Sequence, residues 1–451
     1  MKKLERRAII CLILAGCLLL GLVLFCYRFV ADGSEWASFP ANKHIFAEGE
    51  LDCGSIYDKD GVLLLQNTET GAIYHESSSI RKSTLHVVGD VEGNIATGAE
   101  TKFAGKIIGY NFVNGVYSRD GKGRNLYLTI DADVCATAYA ALDGRKGCVG
   151  VYNYDTGEII CAVSGPSYDP NNPISADAAE DDGYYINRLF SATFVPGSIF
   201  KTVTAAAVIE NLDYENWSFY CDGSSTVGND EITCVSAHGD VDLEDALCKS
   251  CNGAFAALTL ELGADTMERY VESLGLTKAY SINSIRTAKG SFTFDESNPA
   301  SLGWAGVGQS EDLVNPASMM IYMGALGNDG RVVLPQIISC VKSSGNFPLS
   351  LYIPQWRSKL LDGDTAELMT AMMRNNVVNN YGEGNFPGLA ICAKSGTAEV
   401  GDGTSHAWFA GFLDDPDHPY AFIVLVEHGG GGAKVAGSVA NKVLQSVIEN
   451  E

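Results

Sequence analysis

The sequence feature that most restricts how this chain can fold is an uncharged apolar run close to its N-terminus. The 19 residues from Ala8 to Cys26 carry no charge, which is long enough to cross a bilayer as one helix. In hydrocarbon a lone segment has to satisfy its own backbone hydrogen bonds, so a helix is required. Arg28 follows the run, whereas four bases precede it: Lys2, Lys3, Arg6 and Arg7. This asymmetry predicts a single-pass protein of the cell membrane, with a cytoplasmic N-terminus and the main body of the chain outside the cytoplasm.

Two other interpretations of this segment exist. A cleaved signal peptide has an apolar stretch of about 7–15 residues and an Ala-x-Ala-like site, whereas this run is longer and has no such site. A lipoprotein signal is suggested by Leu14-Ala15-Gly16-Cys17, but the apolar run continues from Leu18 to Phe25 instead of turning polar. We therefore expect residues 1–30 to form a cytoplasmic stub and an uncleaved transmembrane anchor.

The remaining sequence predicts two domains of an α+β protein. Residues 31–140 mix Gly-rich turns with short apolar runs, which is typical of a small β-rich spacer or interaction domain. Residues 141–451 open with a hairpin pattern, Gly147 to Tyr152 and Ile159 to Val163, and close with three further strands and a helix. Strands at both ends with helices between them predict an antiparallel sheet packed with helices. The net charge of −24 argues against a nucleic-acid partner.

Three short motifs follow one another along the second domain. They are Ser-x-x-Lys at Ser198 and Lys201, Ser-x-Asn at Ser250 and Asn252, and the run Lys394-Ser395-Gly396-Thr397. The first two patterns are weak alone, because Ser-x-x-Lys recurs at Ser79 and Lys82 and Ser-x-Asn recurs twice. Lys-Ser-Gly-Thr occurs once, and the order and context of the three motifs together predict a serine acyl-transfer enzyme.

The chemistry of such an enzyme needs these residue types. A serine hydroxyl is a weak nucleophile until a base takes its proton. Lys201 lies one helical turn after Ser198, and burial would lower its pKa enough for a neutral amine to act as the base. Alone, the motif would favour a helix N-cap beside a solvated lysine. Pro196-Gly197 before Ser198 and a nearly all-apolar helix after it favour the catalytic interpretation.

The other two motifs can complete the site. The Ser250 hydroxyl can relay a proton and the Asn252 amide can hold a peptide carbonyl. Lys394 to Thr397 would lie on a strand edge that pairs with an extended peptide, with Lys394 and the Ser395 and Thr397 hydroxyls binding a carboxylate. The N–H groups of Ser198 and Thr397 could form an oxyanion hole. A polar helix end and a charged edge strand are the alternatives without chemistry.

The cysteines leave several states open. Cys221 and Cys234 could form a disulfide across a loop, or they could be buried inert thiols. Zinc binding by these two together with Cys248 and Cys251 is disfavoured, because Cys221 and Cys234 are too far apart in sequence to match the tight pair Cys248-x-x-Cys251. We therefore expect no metal site.

Read together, these segments resemble a class B, monofunctional penicillin-binding protein. The resemblance covers nearly the whole chain beyond the anchor. In the second domain it is carried by Phe194 to Lys201, His238-Gly239 with Ala246 to Phe255, Gly308 to Pro316, and Lys394 to Thr397 with His406 to Phe409. In the spacer it is carried by Gly54 to Gly61 and His86 to Gly89. Ser310 and Ser395 depart from the usual Gly and Thr of the family. The resemblance implies the penicillin-binding serine-transpeptidase fold, which adds a helical subdomain to the sheet.

The resemblance also implies an activity, that of a peptidoglycan D,D-transpeptidase in cell wall biogenesis. Ser198 would attack the D-Ala-D-Ala bond of a stem peptide with help from Lys201, and a second stem peptide would take the acyl group. Ser250 would relay protons, Asn252 would position the donor, and Lys394 and Thr397 would hold its carboxylate. β-Lactams would acylate Ser198, no cofactor is implied, and a membrane polymerase of lipid II is the implied partner. A D,D-carboxypeptidase and a β-lactamase or β-lactam sensor remain alternatives.

Overall fold

The computed structural model describes most of the chain. The described residues are 2–37, 54–68, 71–108, 123–175, 177–178, 182–228, 230–356, 359–401 and 403–451. The predicted spacer, residues 31–140, therefore lies partly outside the described residues.

The helices are α1 (Lys2–Ala37), α2 (Ser78–Val88), α3 (Ala99–Lys102), α4 (Ala104–Ile107), α5 (Ala132–Leu142), α6 (Arg188–Ser191), α7 (Lys201–Asn211), α8 (Leu243–Cys248), α9 (Asn252–Leu262), α10 (Ala264–Ser273), α11 (Pro299–Val307), α12 (Pro316–Gly327), α13 (Gly363–Asn376) and α14 (Gly432–Glu449). Short 3₁₀ turns at Gly197–Ile199 and Glu383–Asn385 and a π-helical turn at Val377–Tyr381 complete the described helical segments.

The strands are β1 (Ser55–Tyr57), β2 (Leu63–Thr68), β3 (Gly71–Tyr74), β4 (Asn125–Leu128), β5 (Gly147–Asn153), β6 (Ile159–Gly165), β7 (Phe219–Cys221), β8 (Ser224–Val227), β9 (Asp230–Thr233), β10 (Gly239–Val241), β11 (Ser281–Ile282), β12 (Ile285–Arg286), β13 (Val333–Leu334), β14 (Ile338–Lys342), β15 (Pro348–Leu351), β16 (Gln355–Trp356), β17 (Ile391–Glu399), β18 (Ser405–Leu413) and β19 (Tyr420–Val426).

The catalytic sheet is a five-stranded antiparallel sheet in the order β17-β18-β19-β5-β6. Its strands are buried on both faces, as their nearly continuous apolar sequences require. Phe409 lies beside Gly437 of α14 and Phe412 lies beside Gly327 of α12. Successive side chains of a strand alternate between faces, so α14 and α12 cover opposite faces. The predicted hairpin and the three C-terminal strands are all in this sheet.

A second sheet has six strands in the order β15-β14-β4-β1-β2-β3. Four of them precede residue 130, whereas β14 and β15 come from residues 338–351, and β14 pairs antiparallel with β4. The predicted boundary near residue 140 stays a prediction, but it does not separate this sheet from the rest of the chain. The spacer also contacts the catalytic part directly, because Arg81 forms a partly buried ion pair with Asp169.

The N-terminal helix α1 contains an apolar segment, Lys3–Val30, which is long enough to cross a membrane, and none of the residues in its most apolar stretch is buried. It is the single candidate span found among the described residues. It runs unbroken past Cys17, in agreement with the long apolar run in the sequence.

A helical subdomain lies against the catalytic sheet and carries the second motif. It consists of α7 to α11, with the short hairpins β7–β10 and β8–β9 at one side. Helix α7 is buried almost all round, which the uninterrupted apolar sequence after Lys201 predicts. The turn that leads into α7 packs against the edge strand β17. The candidate site lies where this turn and β17 meet.

Candidate active site

The first motif forms a tight turn pressed against the edge strand of the catalytic sheet. Ser198 lies in the 3₁₀ turn Gly197–Ile199, directly before α7. Gly197 has φ +57°, and a Cβ there would lie 2.9 Å from the Cβ of Ala398 on β17. Glycine is therefore required both by the backbone conformation and by the close approach. Gly396 contributes in the same way, since a Cβ there would lie 3.1 Å from the Pro196 carbonyl.

Lys201 is buried completely at the centre of the site. Burial is the main cause that lowers the pKa of Lys201 well below its usual value, and the neighbouring charge of Lys394 lowers it further. Loss of hydration on burial disfavours the charged ammonium of Lys201 relative to its neutral amine.

The contacts of Lys201 fit that neutral form. Its Nζ lies 2.8 Å from the Ser250 carbonyl and 2.6 Å from Asn252 Oδ1, and 3.1 Å from the hydroxyls of both Ser198 and Ser250. The carbonyl and the amide oxygen can only accept, so they take the two N–H groups of the amine. The lone pair is left for a hydroxyl proton, which places a base beside Ser198.

The second motif bridges the two lysines. Ser250 has φ +55°, a conformation rare for serine, and it lies in the short non-helical segment between α8 and α9. Its hydroxyl lies 3.1 Å from both Lys201 Nζ and Lys394 Nζ. Because Lys394 can only donate, the Ser250 hydroxyl accepts from it and is free to donate to Lys201. Asn252 is the first residue of α9, and its Nδ2 donates to the Thr233 carbonyl at 2.7 Å.

The third motif lies within β17, which is an edge strand of the catalytic sheet. In an antiparallel pair, alternate residues direct both backbone groups away from the partner strand. Groups on this open side are bonded by α13 and the turn after it: the Ile391 carbonyl by Arg374, the Ala393 carbonyl by Asn376, and the Ser395 N–H by Tyr381. The same alternation directs the Thr397 N–H to the open side, next to the Ser198 turn.

An open cavity of about 860 Å³ joins these elements. Five of the eight residues predicted from the motifs line it: Ser198, Ser250, Asn252, Ser395 and Thr397. Lys201 and Lys394 lie just behind it and are fully buried, whereas Gly396 packs under the Ser198 turn. A second cavity of about 730 Å³ lies beyond β17, where Ser395 and Thr397 also line it, together with the start of α14.

The structure separates the true motifs from their repeats. Ser79 lies exposed on α2, far from the cavity, and its neighbour Arg81 is used in the ion pair with Asp169. Asn283 of the second Ser-x-Asn caps the backbone at Ile337 and Ile338. No residue of the three repeats, at Ser79, Ser281 and Ser344, lines the cavity.

Other residues of the site have no signal in the sequence. The Tyr381 hydroxyl contacts both the N–H and the hydroxyl of Ser395, at 2.9 Å and 3.1 Å. It reaches them from a π-helical turn that no short pattern predicts. Behind the Ser250 to Asn252 segment lies a group of metal-ligating side chains, the one such group found within the described ranges: Cys221, Cys234, His238 and Cys251.

The fold and this constellation define an active-site serine acyl-transferase of the penicillin-binding type. Residues 147–445 match the family described as the penicillin binding protein transpeptidase domain. The chain therefore belongs to the penicillin-binding protein transpeptidase family. The sequence-based predictions of a class B penicillin-binding protein, of its α+β fold and of a serine-type transpeptidase are confirmed.

Named relatives and solved structures agree with this assignment. Peptidoglycan D,D-transpeptidase PbpA of Mycolicibacterium smegmatis is 28% identical over 366 residues, which cover 75% of this chain and 74% of the relative. Penicillin-binding protein 3 of Bacillus subtilis is 26% identical, over 72% of this chain and 51% of its own length. The fold matches that of penicillin-binding protein A of Mycobacterium tuberculosis solved as a penicillin G acyl-enzyme complex, with a TM-score of 0.76, 23% identity, and coverage of 88% of this chain and 100% of that one.

Proposed function

We propose that this chain is a peptidoglycan D,D-transpeptidase that crosslinks stem peptides through an acyl-enzyme on Ser198. The observation that carries the proposal is the position of the buried Lys201 amine, 3.1 Å from the Ser198 hydroxyl with its two N–H groups taken by carbonyl oxygens. Membership of the family and the names of the relatives support peptidoglycan as the substrate class, and within it the proposed donor is a stem peptide that ends in D-Ala-D-Ala.

Acylation begins with a proton transfer. Lys201 takes the proton of the Ser198 hydroxyl as the oxygen attacks the carbonyl of the penultimate D-Ala. The Ser198 and Thr397 N–H groups stabilise the negative charge that develops on the carbonyl oxygen. When the peptide bond breaks, the proton passes from Lys201 through the Ser250 hydroxyl to the amine of the departing D-Ala. In the second half the amine of another stem peptide loses a proton through the Ser250 hydroxyl to Lys201 and attacks the acyl carbon, and Lys201 passes the proton to the Ser198 oxygen as the ester bond breaks.

Binding of the donor peptide uses β17 and Asn252. The open edge at Thr397 offers backbone groups to an extended peptide, and the Ser395 and Thr397 hydroxyls line the cavity where its terminal carboxylate would lie. Lys394 is fully buried, so it favours the carboxylate through its charge and through Ser250 rather than by direct contact. The Asn252 side chain, held by Lys201 and the Thr233 carbonyl, positions the peptide backbone.

Transfer to an amine is favoured over hydrolysis by the charge of the cavity. Asp230, Glu231 and Glu399 line it, and a cationic acceptor amine is attracted to such a surface. The β-lactam antibiotics are substrate mimics that acylate Ser198. A D,D-carboxypeptidase or a β-lactamase would use the same serine but pass the acyl group to water.

The membrane arrangement follows from the N-terminal helix. The bases before Ala8 favour a cytoplasmic N-terminus, which would leave the catalytic part outside the cytoplasm. An anchored transpeptidase needs new glycan strands at the membrane surface, so a membrane polymerase of lipid II is its partner. Pull-down of the full chain after crosslinking in membranes tests this, and recovery of no polymerase would contradict it.

The decisive experiment labels the nucleophile. Full-length protein is treated with labelled penicillin and the adduct is mapped by peptide mass spectrometry. Ser198→Ala should lose the label completely, whereas Ser79→Ala, in the other Ser-x-x-Lys, should label like wild type. An adduct on Ser79, or a label that survives Ser198→Ala, would overturn the proposal. The lifetime of the penicilloyl adduct then distinguishes the enzyme classes, because a transpeptidase retains the adduct whereas a β-lactamase hydrolyses it rapidly.

A further inference from the structure

Three thiols and an imidazole converge behind the Ser250 to Asn252 segment. Cys221 Sγ lies 3.7 Å from Cys234 Sγ and 3.5 Å from His238 Nδ1, and Cys234 Sγ lies 3.8 Å from Cys251 Sγ. All four atoms lie within 4.8 Å of one another. Cys221 and Cys251 are buried, and Cys234 and His238 are partly buried.

These separations are those of a tetrahedral metal centre. With Zn–S bonds of about 2.3 Å and Zn–N bonds of about 2.1 Å, two sulfurs of a tetrahedron lie about 3.8 Å apart and a sulfur and a nitrogen about 3.6 Å apart. The three closest observed pairs, at 3.7, 3.8 and 3.5 Å, agree with those values. A disulfide would need about 2.05 Å between two of the sulfurs and would leave the third thiol and the imidazole without a role.

Strand pairing and backbone hydrogen bonds hold the residues of this cluster in position. Cys221 ends β7 opposite Gly239 of β10, and the His238 N–H donates to the Cys221 carbonyl. Cys234 follows β9, and its sulfur accepts the N–H of Gly253 at 3.5 Å. Hydrogen bonds of this kind to a ligating sulfur orient it and stabilise its thiolate.

We propose that Cys221, Cys234, His238 and Cys251 bind one structural zinc ion. Three thiolates and one neutral imidazole form a closed set of four ligands, which is a common structural zinc set. Spacing in the sequence disfavours a zinc set that combines Cys248 with Cys221, Cys234 and Cys251. The fold brings His238 into the fourth position instead, from a turn between β9 and β10 that sequence spacing does not reveal.

The zinc ion would hold one wall of the cleft in place. This Ser-x-Asn wall comprises strands β7 to β10 and residues 248–252. Cys251 lies between Ser250 and Asn252, and Thr233, which accepts from Asn252, directly precedes Cys234. Strands β8 and β9 have mostly exposed or half-buried side chains, so apolar packing holds this wall weakly. The ion positions catalytic residues without touching the substrate.

Elemental analysis of the purified full-length protein in detergent tests the proposal. Wild type should contain one zinc per chain, and so should the matched control Cys248→Ser. Cys221→Ser and His238→Ala should lose the metal, whereas His238→Cys should retain it, because four thiolates also bind zinc. A wild-type protein that takes up no zinc when incubated with one equivalent would overturn the proposal, as would full zinc in Cys221→Ser or a Cys221–Cys234 disulfide in peptide maps.

Cobalt titration covers variants that do not fold. Wild type stripped with a chelator should take up one Co²⁺ and show thiolate charge-transfer bands with the visible d–d bands of a tetrahedral ion. The readout does not depend on acylation of Ser198, so it separates this proposal from the proposed function. A protein that is still acylated by penicillin and shows neither set of bands would contradict the zinc site alone.

Discussion

The two walls of the cleft are built on opposite principles. The nucleophile wall, formed by the turn Gly197–Ile199 and α7, is enclosed by apolar side chains and pressed against β17. The Ser-x-Asn wall has short, partly exposed strands and a cluster of metal-ligating side chains. One wall is therefore held rigid by a hydrophobic core and the other by polar bonds. We expect the two walls to respond to different perturbations.

The largest expected effect comes from removing the base on the nucleophile wall. Lys201→Met should lower the rate of penicillin acylation by about 10²–10⁴-fold, the usual contribution of a general base. Stopped-flow measurement with a chromogenic β-lactam checks this. Lys82→Met, in the exposed repeat of the motif, should leave the rate unchanged, and equal losses in both variants would remove Lys201 from the mechanism.

The second prediction compares apolar truncations on the two walls. Phe200 is fully buried and stacks on Phe292 with ring centroids 5.1 Å apart. Phe200→Ala should therefore lower the free energy of unfolding by about 3–5 kcal/mol. Phe219 of the Ser-x-Asn wall is only partly buried, so Phe219→Ala should cost clearly less. Denaturant titration measures both losses of free energy of unfolding, and equal losses would contradict the proposed difference between the two walls.

The third prediction concerns chelation and local opening. Removal of metal should raise amide hydrogen exchange in residues 219–241 and at Asn252, while α7 stays protected, since local stability follows the bonds that hold each segment. Hydrogen-exchange mass spectrometry with and without chelator measures this. The Cys221→Ser protein serves as a control because it should show no further change on chelation. An equal rise in amide hydrogen exchange in both walls would show that they open together as one cooperative unit.

The last prediction is a pH dependence of stability at Asp312. Burial raises the pKa of Asp312 to about 8, and among the described residues its Oδ2 has no hydrogen-bond partner. The folded state keeps a proton that the unfolded state loses above about pH 4. The stability contribution of Asp312 is therefore fully present below that pH and is lost as the pH rises toward 8, by roughly 1 kcal/mol per pH unit.

Asp312→Asn isolates this titration. Its stability relative to wild type should increase from pH 5 to pH 8 and then stay constant. Urea unfolding of the two proteins at matched pH values measures the difference. A difference independent of pH would mean that Asp312 is ionised in the folded state.

The sequence was sufficient for one wall and insufficient for the other, for physical reasons. Ser198, Lys201 and α7 are local in sequence, and a buried helix after Pro-Gly follows from residue patterns. Tyr381 and His238 reach the site through long-range packing, and no local pattern encodes such contacts. The same limit applies to the six-stranded sheet, because nothing in the sequence near β4 indicates that β14 is its partner.

That pairing has a consequence for the order in which the molecule can be assembled. The chain leaves the ribosome from its N-terminus, so β4 has no partner on one edge until residues 338–342 have been made, when Val341 can pair with Leu126. During that interval an apolar strand edge is available to other chains. Completion of this sheet therefore has to wait until most of the catalytic domain has been synthesised.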